Sequence, residues 1–125
     1  MTDQEINELL SHMIAMYAPK FGRGVTQKVA LKLAMSSVER VIQDISGDSY
    51  AAAKAALCKC GTILEENSAD KIISGIILSG AANMNPAFVV LWIEGGAIHV
   101  RASAKEGIIK QHTAERAVEA FTAAL

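Results

Sequence analysis

The sequence predicts an α+β fold in one domain spanning residues 1–125: three N-terminal helices, a three-stranded antiparallel sheet with a Gly-Gly hairpin, and a C-terminal helix. Three observations predict it. Two β-rich runs flank Gly95-Gly96 in AFVVLWIEGGAIHVRASAK, a strong hairpin signal. Apolar residues recur at helical spacing both before and after that stretch. The strands are grouped together rather than alternating with helices, which suits helices packed on an antiparallel sheet.

The first helix begins at Thr2-Asp3-Gln4-Glu5, a capping box in which Thr2 and Glu5 satisfy amides that the helix leaves unpaired. Ile6, Leu9, Leu10, Met13, Ile14 and Tyr17 form its apolar stripe, and Pro19 with Gly22-Arg23-Gly24 ends it. Thr26 caps the second helix, whose stripe is Leu31, Ala34, Met35, Val38, Val41, Ile42 and Ile45, with Gly47 as its stop. Asp48 or Ser49 opens the third, from Tyr50 to about Glu65, with Ala53, Ala56, Leu57, Cys60, Ile63 and Leu64 facing inward.

Lys71 to Ser79 reads two ways. Ile72, Ile73, Ile76 and Ile77 fit a helical period, but a β-branched run with Gly75 inside it favours a buried strand. A third strand also supports a hairpin that is marginal alone. The hairpin follows the loop from Gly80 to Pro86, and Thr113 caps a last helix lined by Ala114, Ala117, Val118, Phe121 and Leu125.

Pairing across Gly95-Gly96 sets Glu94 opposite Ala97, Ile93 opposite Ile98, Trp92 opposite His99, Leu91 opposite Val100 and Val90 opposite Arg101. One face then carries Ala87, Val89, Leu91, Ile93, Ile98, Val100, Ala102 and Ala104, all apolar, and every helix is expected to cover it. The other face mixes Phe88, Val90, Trp92 and Glu94 with Ala97, His99, Arg101 and Ser103.

Composition narrows the function classes. The chain has 125 residues, 51% of them hydrophobic, enough for one core without disulfide or metal support. Lys+Arg 12 against Asp+Glu 13 gives a net charge of -1, without the basic excess of a nucleic-acid binder. No apolar run approaches the roughly 20 residues of a membrane span, and MTDQEINELL lacks a basic leader. Cys58 and Cys60 sit two apart on a helix, facing different sides, so they are expected as reduced thiols in a cytoplasmic protein.

No catalytic centre, metal site or cofactor is expected. His12, His99 and His112 are scattered, Cys58-x-Cys60 is not zinc spacing, and no serine lies in Gly-x-Ser-x-Gly. The turn into the second helix offers an anion-binding alternative through Arg23, Gly24, Thr26 and Lys28, although it follows a helix and matches no phosphate-loop pattern. The mixed sheet face, with Phe88, Val90, Trp92, His99 and Arg101, is the expected interface. A non-enzymatic interaction or regulatory module, self-associating as a homodimer, is the reading that follows. A small-molecule or anion-binding protein, using that turn or His99 and Arg101 on the sheet, and an enzyme whose site forms no local motif are the alternatives.

Overall fold

A computed structural model describes residues 1–17, 33–79, 85–106 and 112–125. The described elements run α1 Asp3–Tyr17, β1 Ala34–Ile42, α2 Ser49–Cys60, β2 Thr62–Asn67, β3 Ile72–Ser79, β4 Asn85–Glu94, β5 Ala97–Glu106 and α3 Thr113–Ala124. The α+β class holds, but its details differ from expectation. Among the described residues there are three helices, one N-terminal, one central and one C-terminal, on a five-stranded antiparallel sheet of order β1-β5-β4-β3-β2.

The two extra strands are the correction. Residues 34–42 form β1 rather than the second half of a helix, paired along their length with β5 from Ala34 opposite Glu106 to Ile42 opposite Ile98. Pairing satisfies the outward backbone groups of β5, a demand that outweighs the helical spacing of Met35, Val38, Val41 and Ile42. The predicted third helix likewise stops at Cys60, and 62–67 become β2. Gly61 marks the break. Its amide bonds the Leu57 carbonyl, and a Cβ there would meet the Ile76 carbonyl oxygen at 2.3 Å. The contact brings β2 close against β3.

Other expectations survive. Thr2 Oγ1 accepts from the Glu5 amide and Glu5 Oε1 from the Thr2 amide, both at 3.1 Å, so the capping box is formed. The Thr2 backbone amide, and then the Thr2 hydroxyl, hold the Glu5 carboxyl below its ordinary range. Asp48 caps α2 by accepting from the Tyr50 and Ala51 amides. Lys71–Ser79 is strand from Ile72. At α3 the cap residue is His112, with φ 53° and no side-chain cap bond, so Thr113 is the first helical residue instead.

The hairpin has the expected register, including Trp92 opposite His99 and Val90 opposite Arg101. Gly95 and Gly96 have φ of 61° and 78°, the positive pair that a tight two-residue hairpin turn requires. Ser49 donates from its hydroxyl to the Gly96 carbonyl, tying the start of α2 to this turn.

Two cores lie on opposite sides of the sheet. Leu91, Val89, Val100, Ile98, Ile73 and their neighbours are buried beneath α2 and α3, which contribute Ala53, Leu57, Val118 and Phe121. The smaller core joins Ile6 and Leu10 of α1 to Ile76 and Phe88. Thus α1 covers part of the mixed face, whereas every helix was expected on the apolar one. The chain is layered helix, sheet, helix pair.

Candidate functional site

Three cross-strand rungs run through the middle of the mixed face, and α1 treats them differently. The first runs Ser37, Ser103, Phe88, Ile76 and Thr62. It lies beneath α1: Phe88 is 1% exposed and packs with Ile6, Leu10 and Ile76. The second runs Glu39, Arg101, Val90, Ser74 and Glu65 and meets the start of the helix. Arg101 reaches Asp3 of α1 at 3.9 Å and Glu39 at 3.8 Å. The third runs Val41, His99, Trp92, Ile72 and Asn67. Its outer apolar members are open, Val41 at 50% and Ile72 at 41% exposure.

Between them the Trp92 and His99 rings are stacked, with centroids 5.3 Å apart and planes 19° from parallel. This stacking follows from register, since directly opposed aromatics on one face come within contact distance. Both residues are half-buried. The result is an apolar and aromatic band of Val41, His99, Trp92 and Ile72 crossing four strands.

The expected interface residues divide accordingly. Trp92 and His99 share the open rung, Val90 and Arg101 flank it, and Phe88 belongs to the small core. Val41 and Ile72 complete the rung beyond the expected residues: the helical spacing around Val41 predicts a helix, and Ile72 takes its place on this face only through the pairing of β3 with β4. The alternation Ile72, Ser74, Ile76 against Ile73, Gly75, Ile77 carried the signal for Ile72, once β3 is set beside β4. Arg23, Gly24, Thr26 and Lys28 lie outside the described residues.

The electrostatics do not favour an anion on this face. The Glu94 carboxylate lies 3.7 Å from the His99 ring, and Asp3 and Glu39 flank Arg101. A cleft of about 470 Å³ beside the hairpin turn is lined by Gln43, Asp44, Glu94 and His99 among others, which gives it an acidic rim. Lys105, 8% exposed, donates to Asn7 of α1, and burial lowers its pKa. It braces the helix against β5.

Among the described residues no group of three or more His, Cys, Asp or Glu side chains could hold a metal ion. No described helix is long and apolar enough to cross a membrane. The chain matches no protein-family model, and no curated protein or solved structure is found to be similar to it.

Proposed function

We propose that the protein is a non-enzymatic interaction or regulatory module that self-associates and contacts its partner through the open rung of the mixed sheet face. The supporting observation is that α1 stops short of Val41, His99, Trp92 and Ile72, leaving a contiguous band in which Val41 and Ile72 are exposed and the stacked Trp92 and His99 rings are half-buried. Such a band costs free energy when wet, and aromatic side chains next to an arginine are the commonest anchors of protein interfaces. Arg101, Glu39 and Asp3 supply the polar rim such a surface needs. A cytoplasmic setting belongs to the same reading, since Cys58 and Cys60 are free thiols on one helix.

Val41→Glu combined with Trp92→Glu tests it. Light scattering of the wild type should give a mass above that of one chain, and the double variant should give a single chain with unchanged helical circular dichroism. A wild type that stays monomeric at high concentration overturns self-association. A double variant that unfolds assigns Trp92 to the core.

A further inference from the structure

The open rung, on which the self-association proposed above rests, ends at Val41 on the edge strand β1, so how two copies meet turns on the sheet edges, and these differ. No described strand pairs the outer edge of either β1 or β2. The β2 edge carries the features that blunt pairing: it has six residues, a register shift between Ile63 and Glu65, and adjacent acidic residues at Glu65 and Glu66. The β1 edge has nine residues, no proline, no glycine and an unbroken register with β5. A long regular edge is a ready template for another strand.

We infer that the partner at the β1 edge is a second copy of this chain, joined by antiparallel pairing of β1 with β1 about a two-fold axis at Val38. Antiparallel pairing around a two-fold puts side chains of the same face opposite one another, so the axis must pass through one residue. Centring on Glu39 or on Arg40 opposes two like charges. Centring on Ser37 sets Met35 against Glu39 and Ala34 against Arg40, apolar against charged. Centring on Val38 pairs all nine residues: Ala34 with Ile42, Met35 with Val41, Ser36 with Arg40, Ser37 with Glu39, and Val38 with itself. Every apolar residue then meets an apolar one, and no charge meets its like. The half-exposed Val41 at the end of the open rung gains Met35 of the second copy. Trp92 and Ile72 then continue that joined rung on the same face of one continuous sheet.

Ser37 supplies a test that depends on sign. It is exposed, and this register alone sets it opposite Glu39 of the other copy. Ser37→Lys creates an opposite-charge pair there and Ser37→Glu a like-charge pair, each occurring twice in a dimer. From the usual size of cross-strand charge pairs, Ser37→Lys should tighten dimerisation, and Ser37→Glu weaken it, by about 2- to 30-fold. The measurement is sedimentation equilibrium at low salt, with circular dichroism as the folding control. Equal effects of the two substitutions, or none, overturn this register. If the wild type is dimeric and only the Val41 and Trp92 double variant dissociates, self-association stands but runs through the face. A monomeric wild type overturns both.

Discussion

At the scale of single residues, the sharpest electrostatic feature joins α2 to β2. Tyr50 donates its hydroxyl to Glu66 Oε2, and Lys54 Nζ lies 3.0 Å from the same oxygen. The bond needs a protonated phenol and an ionised carboxylate, so it pushes the two pKa values apart. The hydrogen bond from Tyr50, followed by that from Lys54, holds the Glu66 carboxyl low. The bond to Glu66 raises Tyr50 from 10.0 to about 12. By linkage, the phenol's contribution is complete below pH 10 and is lost as pH rises through 12. The carboxylate's contribution is complete above 4.5 and is lost as pH falls through its lower folded value. Because Tyr17 is the other tyrosine, Tyr17→Phe isolates the signal. Ultraviolet titration of that variant should place Tyr50 near 12, and adding Glu66→Gln should return it toward 10. An unchanged titration on adding Glu66→Gln would mean the pair does not form in solution.

At the scale of elements, what could be read from the sequence depended on whether local pattern and tertiary pairing agreed. In the hairpin they agree: Gly95-Gly96 demands one turn geometry, and that turn fixes every facing pair of β4 and β5. In β1 they conflict. Met35, Val38, Val41 and Ile42 fall at spacings of three and four, as on one side of a helix, yet the strand turns Val38 and Ile42 to the large core and Met35 toward α1. Pairing with β5 decides the outcome, and no local property of 34–42 announces it. The same blindness hid half of the open rung, since Val41 and Ile72 reach it only through strands paired on either side of the hairpin. Where β2 meets β3 the informative residues are glycines, Gly61 just before β2 and Gly75 within β3. A Cβ on Gly75 would meet the Thr62 carbonyl oxygen at 2.3 Å, the counterpart of Gly61 against Ile76. Gly75→Ala should therefore destabilise the fold by about 1–3 kcal/mol in chemical denaturation, as overpacking does. A wild-type midpoint for Gly75→Ala would show that β2 does not approach β3 so closely.

For the whole molecule, the sheet has unequal cover on its two sides, and stability should follow that division. The large core draws on α2, α3 and all five strands, with Val38, Ile42 and Ile63 packed at its margin. The small core rests on Ile6 and Leu10 of one helix against Ile76 and Phe88. A layer held by so few buried side chains opens at lower free energy than the global transition, because local opening exposes only its own contacts. Leu10 and Leu91, 0% and 1% exposed, report on the two cores through the same chemical change. Leu91→Ala should lower global stability by about 2–5 kcal/mol and speed amide exchange in all three helices. Leu10→Ala should instead speed exchange chiefly in α1, with α2 and α3 keeping most of their protection. The difference bears on function, since displacing α1 would uncover Phe88 and extend the band of Trp92 and Val90 along β4. If Leu10→Ala speeds all three helices alike, the two cores form one cooperative unit. The open rung would then be the full extent of the surface, with α1 a fixed wall beside it.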